Sequence, residues 1–125
     1  MEKKNIDWSS IGFAYMPTDY RYVSNFKDGK WDEGTLSTDP NIVLNECAGV
    51  LQYSQSVFEG LKAYTTEDGH IVTFRPDLNA ERMAASAARL EMPVFPKERF
   101  IDAVEQVVKA NAAWVPPYGS GATLY

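Results

Sequence analysis

The hydrophobic pattern of the chain changes at Arg75-Pro76, and this change limits the folds that are open to it. Before this point, aromatic and β-branched residues occur in short runs between turn residues, which is typical of strands. After it, apolar residues recur every three or four positions, which is typical of amphipathic helices. Strands followed by helices predict an α+β fold, with an antiparallel-rich β-sheet that carries two helices. A chain of 125 residues suits one domain, so we expect residues 1–125 to form a single unit.

The first half contains two hairpin signals. Asp28-Gly29 precedes Lys30-Trp31, and Asp68-Gly69 precedes an alternating run. Asp-Gly favours the tight turn that joins antiparallel strands. The predicted strands are residues 12–15, 20–26, 41–44, 58–65 and 70–75.

The second half predicts two helices that are separated by Pro93 and Pro96. Pro76 stands at an acceptable position in the first turn of the first helix. The predicted helices are residues 76–90 and about 97–112. The remaining residues, 114–125, predict a loop that contains proline and glycine and leads into a new strand at 122–125.

Composition excludes several classes of function. The formal net charge is -5, which disfavours binding to a nucleic-acid backbone or an anionic membrane. No apolar run approaches the roughly 20 residues that a spanning helix needs. Cys47 is the only cysteine, so an internal disulfide is excluded and a reducing cytoplasm is the expected location. His70 is the only histidine and has no cluster of ligands around it, so no metal site is expected.

Two segments could carry chemistry, and each has a purely structural alternative. In residues 51–64, Tyr53, Phe58 and Gly60 could line a pocket at a strand mouth, or they could be aromatic core around a glycine bulge. In residues 74–83, Arg82 could grip a phosphate with two charge-assisted hydrogen bonds. The alternative is a solvated Arg82 paired with Asp77 or Glu81.

The order and spacing of these segments resemble the fold-type IV enzymes that use pyridoxal 5′-phosphate (PLP), and specifically the branched-chain aminotransferases. Tyr53-Ser-Gln-Ser-Val-Phe58-Glu-Gly60-Leu-Lys-Ala is similar to one family motif, and Phe74-Arg-Pro-Asp-Leu-Asn-Ala-Glu-Arg82-Met to another. Ala122-Thr-Leu-Tyr125 is similar to the residues that lead into a third family motif. The resemblance covers residues from about 13 to 125, which would make the chain the N-terminal small domain of such an enzyme.

The resemblance implies roles for individual residues. Arg82 matches the arginine that binds the cofactor phosphate. The positions that face the branched substrate side chain match Phe13, Tyr53, Phe58 and Tyr125, with Gly60 beside them. The lysine that carries the cofactor would lie beyond Tyr125, in a large domain that these 125 residues do not include. Lys62 matches a structural lysine of the motif, on a strand beside the pocket, and cannot replace it.

The function implied by the resemblance is transfer of the amino group of leucine, isoleucine or valine to 2-oxoglutarate through PLP. The expected partners are these amino acids and 2-oxo acids, the chain's own large domain, and a second copy in a homodimer. Alternatives are another fold-type IV enzyme, such as a D-amino acid aminotransferase or an aminodeoxychorismate lyase, or a non-catalytic binding module. The 125 residues alone are expected to be inactive.

Overall fold

Six short strands form three antiparallel pairs in the computed structural model, which describes residues 1–125. The strands are β1 (Arg21–Val23), β2 (Phe26–Lys27), β3 (Lys30–Trp31), β4 (Thr35–Ser37), β5 (Ala63–Thr65) and β6 (Ile71–Thr73). Strand β1 pairs with β4, β2 with β3, and β5 with β6. Three α-helices accompany them: α1 (Gly49–Tyr53), α2 (Pro76–Arg89) and α3 (Lys97–Ala110). The predicted α+β class is confirmed.

Both predicted hairpins are present. The β2–β3 turn has positive φ at Asp28 (52°) and Gly29 (79°), as the favoured two-residue hairpin turn requires. The Trp31 indole of this hairpin donates a hydrogen bond of 2.9 Å to the carbonyl of Val94, and its ring packs edge-on against Phe95. The hairpin is therefore attached to the connection between α2 and α3.

Helices α2 and α3 begin and end close to the predicted residues and pack against each other. Pro76 occupies the first turn of α2, where its missing N–H costs no hydrogen bond. Arg75, just before it, adopts the left-handed conformation (φ 48°) and pairs with Asp77 at 2.7 Å. This pairing lowers the pKa of Asp77 to about 2, so a negative charge stays at the positive end of the helix dipole.

Several predicted strands are wrong. Residues 12–15 and 41–44 are irregular, and they leave Phe13 and Val43 almost fully exposed. Their aromatic and β-branched composition favours a strand, but no neighbouring backbone accepts their hydrogen bonds. Residues 58–62 are also irregular, so the first arm of the second hairpin begins at Ala63 rather than at residue 58. The sequence reading missed β4 and the five-residue α1.

The core is small and consists mainly of alanine. Only eight of the 125 residues are buried, among them Ala63, Ala80, Ala87 and the fully buried Val115. The accessible surface is 9175 Å². A compact monomer of 14.0 kDa exposes about 6,700 Å². The chain therefore exposes considerably more surface than a self-sufficient domain of its mass. No helix has both the length and the apolar character that crossing a membrane requires.

One buried amide attaches the N-terminal arm to the end of α3. Asn111 is 3% exposed, and its Oδ1 accepts hydrogen bonds from the backbone N–H groups of Asp19 (3.1 Å) and Tyr20 (2.9 Å). Its Nδ2 donates to the carbonyls of Tyr20 (2.8 Å) and Val107 (2.9 Å). The side chain thus uses two donors and two acceptors, its full capacity.

The exposed apolar surface leads to a first prediction. A polypeptide of these 125 residues is expected to self-associate as its concentration rises, because uncovered apolar patches of several hundred Å² promote association. Large side chains that are at least three-quarters exposed include Phe13, Val43, Tyr53, Phe58, Phe74 and Tyr125. Light scattering over a concentration series measures this, and replacing Phe58 and Phe74 with serine should reduce it. A monomer at high concentration that binds no dye for apolar surfaces would contradict the prediction.

Candidate functional site

Arg82 lies on α2 and forms a two-point ion pair with Glu59, which precedes β5 by four residues in the chain. Its Nε donates to Glu59 Oε1 at 2.8 Å, and its Nη2 donates to Glu59 Oε2 at 2.6 Å. The carboxylate end is enclosed and the guanidinium end is open, since the side chains are 7% and 67% exposed respectively. Two parallel charge-assisted bonds fix the plane of the guanidinium as well as its position.

Asn79 holds the other side of the carboxylate. It lies three residues before Arg82 on α2, so the two side chains project from the same face of the helix. Its buried Nδ2 donates to Glu59 Oε2 at 2.8 Å and to the carbonyl of Gly60 at 2.9 Å. The segment at residues 59–60 is therefore held against α2 by one amide and one guanidinium.

The hydrogen bonds from Arg82 lower the pKa of Glu59 below its ordinary value, against the opposing effect of burial, and those from Asn79 add to the lowering. Glu59 is therefore ionised at neutral pH. The pKa of Glu59 is lower in the folded chain than in the unfolded chain. As the pH falls, the unfolded chain therefore binds the proton first. The contribution of the pair to folding is present above the ordinary glutamate pKa and is lost at lower pH.

The open end of Arg82 suits an anion. A guanidinium has five N–H bonds, and the two bonds to Glu59 leave both N–H groups of Nη1 and one of Nη2. These three face away from Glu59, and one from each nitrogen forms the end-on edge of the guanidinium. That edge matches two oxygens of a phosphate group. The residues present thus fit a phosphate-bearing ligand at Arg82.

Gly60 and Tyr125 meet because the C-terminal residues pair with the start of β5. Ala63 and Leu124 form an isolated antiparallel bridge with bonds of 2.8 and 3.2 Å. A Cβ atom placed on Gly60 would lie 3.8 Å from the Tyr125 ring, an ordinary contact. The predicted strand at 122–125 is therefore reduced to one bridge, and Gly60 is not inside a strand. Space alone does not require glycine at position 60 within this chain.

The remaining predicted pocket residues are not assembled with these. Phe13 has a relative exposure of 110%, Tyr53 of 86% and Phe58 of 85%, so each ring makes few contacts within the chain. Tyr53 ends α1, and Phe58 directly precedes Glu59. Tyr125 is 75% exposed. Each ring is exposed, and within this chain the four do not enclose a pocket.

The structure also corrects two details of the sequence reading. The partner of Arg82 is Glu59, because Asp77 pairs with Arg75 and Glu81 pairs with Lys97. Lys62 stands immediately before β5 and not on a strand. Sequence reasoning missed Glu59 and Asn79 as site residues. Both lie inside the quoted motifs, but 20 residues separate them, and no periodicity signals a contact at that distance.

Comparison with known proteins finds similarity to aminotransferases. A branched-chain-amino-acid aminotransferase of Haemophilus influenzae is 55% identical over 122 residues, which is 98% of this chain and 36% of that protein. The corresponding enzyme of Helicobacter pylori is 44% identical over the same shares of the two chains. A methionine aminotransferase of Arabidopsis thaliana is 47% identical over 97% of this chain and 34% of that protein. No model of a protein family matches the chain.

The chain spans about a third of the length of the curated relatives that it matches. The similarity extends over nearly every residue of the chain, so it includes the segments that hold Glu59, Gly60, Asn79 and Arg82. On these grounds, the chain belongs to the branched-chain aminotransferase family.

Proposed function

We propose that these residues form the N-terminal small domain of a fold-type IV enzyme that transfers the amino group of leucine, isoleucine or valine to 2-oxoglutarate. The observation that carries the proposal is the similarity to aminotransferases over 97–98% of the chain. The names of these relatives favour this reaction over that of a D-amino acid aminotransferase, an aminodeoxychorismate lyase or a non-catalytic module. Because the Arabidopsis relative is named for methionine, the domain is compatible with unbranched apolar side chains as well.

The cofactor of the proposed enzyme is PLP, which supplies an electron sink for the reacting carbon when it is bound. Within this chain Arg82 would hold its phosphate, through the end-on edge that Glu59 leaves free. A phosphate held at a fixed edge orients the ring at the other end of the molecule. The lysine that bonds to the cofactor would come from the large domain.

The aromatic side chains of the domain would form one wall of the substrate site. Phe13, Tyr53, Phe58 and Tyr125 expose apolar ring surface, which suits an aliphatic side chain and excludes water. Gly60 lies beside Tyr125 and adds no side chain of its own to this wall.

The accessible surface of 9175 Å² supports cover by the large domain and by a second copy in a homodimer. Cytoplasmic location is proposed from the single free cysteine, Cys47.

An assay of the full-length protein beside the 125-residue polypeptide tests this function. The full-length protein with PLP should form glutamate from 2-oxoglutarate when leucine, isoleucine or valine is the donor. The polypeptide should form none, because none of its seven lysines matches the cofactor-bound lysine of the family. Borohydride reduction with PLP is the second measurement. A full-length protein inactive with all three donors, or PLP fixed stoichiometrically to one lysine of the polypeptide, would contradict the proposal.

A further inference from the structure

We propose that Glu59 is a positioning residue, which holds Arg82 so that its end-on edge faces the cofactor phosphate. The inference rests on the proposed function, since it assumes that Arg82 receives the phosphate. Glu59 contacts only the side-on edge of the guanidinium, Nε and one Nη2 N–H. The two edges of one planar group therefore have separate partners, a carboxylate on one edge and a phosphate on the other.

The burial of the residues shows which end of the arrangement is fixed. The Glu59 side chain is 7% exposed and is itself bonded by the buried Asn79, whereas the Arg82 side chain is 67% exposed. An exposed arginine without a partner samples many rotamers, and binding a ligand must select one of them. Glu59 already holds Arg82 in one conformation, so less conformational entropy is lost when the phosphate binds.

The negative charge of Glu59 also opposes phosphate binding. It reduces the net charge of the pair to zero and repels a phosphate. A phosphate on the end-on edge, however, lies closer to the guanidinium than to the carboxylate beyond it, so attraction exceeds repulsion. Glu59→Asp separates the two effects, because it keeps the charge and shortens the reach by one methylene. Loss of positioning predicts weaker binding in this variant, and repulsion alone predicts no change.

The experiment is a titration of the full-length apoenzyme with PLP, followed by absorbance. Loss of the two-point contact in Glu59→Asp should weaken PLP affinity about five- to tenfold. Glu59→Gln should also weaken it, because its NH2 group would face a donor in either orientation of the amide. That donor is Nε of Arg82 in one orientation, and Nη2 of Arg82 with Nδ2 of Asn79 in the other. Glu81→Asp is the matched control, since Glu81 is an exposed neighbour that pairs with Lys97, and its affinity should stay within about twofold.

A double-variant cycle then separates positioning from general stability. In the Arg82→Ala background, Glu59→Asp should weaken PLP affinity no further, because the residue through which it acts is gone. Equal weakening in both backgrounds, together with equal falls in melting temperature, would assign Glu59 a structural role and overturn the inference. Unchanged affinity in Glu59→Asp, or tighter binding in Glu59→Gln, would overturn it as well. If Arg82→Ala itself left the affinity unchanged, the phosphate role of Arg82 in the proposed function would fail instead.

Discussion

Replacing Arg82 with alanine in the full-length enzyme is expected to weaken PLP binding at least about tenfold, since charge-assisted hydrogen bonds contribute roughly 1.5–3 kcal/mol. The variant removes the end-on edge that one N–H of Nη1 and one N–H of Nη2 provide. Arg82→Lys should recover part of the loss, because an ammonium keeps the charge but not the planar edge. A titration of the apoenzyme with PLP measures both variants.

The same substitution should also affect the apoprotein, because it removes the main partner of Glu59. The carboxylate is 7% exposed and would keep only Asn79 as a donor. Loss of Arg82 removes the largest cause of the lowered pKa of Glu59, and the remaining burial opposes its ionisation. The melting temperature of apo Arg82→Ala should therefore fall, and the double variant Glu59→Gln with Arg82→Ala should regain part of it.

Two outcomes would contradict this account of Arg82. Unchanged PLP affinity in Arg82→Ala would reduce the ion pair with Glu59 to a structural contact. A fall in affinity that matches a loss of folded apoprotein would indicate unfolding rather than loss of a phosphate ligand. Circular dichroism of the apoprotein at the titration temperature distinguishes the second outcome. Asp77→Ala, which removes the ion pair with Arg75 at the start of the same helix, is a matched control that should leave PLP affinity unchanged.

Replacing Asn111 with alanine is expected to destabilise the domain by about 2–4 kcal/mol, the sum of four hydrogen bonds at roughly 0.5–1 kcal/mol each. The side chain is buried, and its loss leaves the backbone N–H groups of Asp19 and Tyr20 without their acceptor. The N-terminal arm should then detach from the end of α3. Asn111→Asp should be no better, because a buried carboxylate would face the carbonyls of Tyr20 and Val107.

Hydrogen exchange at individual amides measures this effect where it arises. In the parent protein the amides of Asp19 and Tyr20 should be protected even though both residues are exposed. In Asn111→Ala their exchange should accelerate by about 30-fold or more, the equivalent of roughly 2 kcal/mol. Asn41→Ala is the control, since that exposed amide contacts only Asp39 through its side chain. Unchanged protection in Asn111→Ala would mean that other contacts hold the arm.

The α+β class, the two long helices and both hairpin turns could be predicted from the sequence, because local chemistry determines them. Residues 76–89 are rich in alanine, residues 97–110 repeat apolar side chains at helical spacing, and a proline stands at the start of each helix. Asp28-Gly29 and Asp68-Gly69 specify tight turns through the φ values they tolerate. These features depend on residues within one or two turns of one another. The family resemblance was equally a property of the sequence, since it rests on ordered motifs.

The short strands could not be predicted reliably, because a strand exists only where a second backbone accepts its hydrogen bonds. Residues 12–15 and 41–44 have suitable composition but no partner, and they remain irregular. Strand β4 has unremarkable composition, yet it forms because β1 lies beside it. Position along the chain does not reveal which of these segments will find a neighbour.

The sequence by itself determined that Arg82 is a candidate anion ligand, and only the tertiary structure decided how it is held. Sequence reasoning offered Asp77 and Glu81 as partners because they are near in the chain. In the folded protein these carboxylates pair with Arg75 and Lys97, and Arg82 pairs with Glu59, 23 residues away. The physical reason is that α2 packs its Asn79 and Arg82 face against the segment before β5. Contacts of this kind depend on how distant segments pack, which local sequence patterns do not specify.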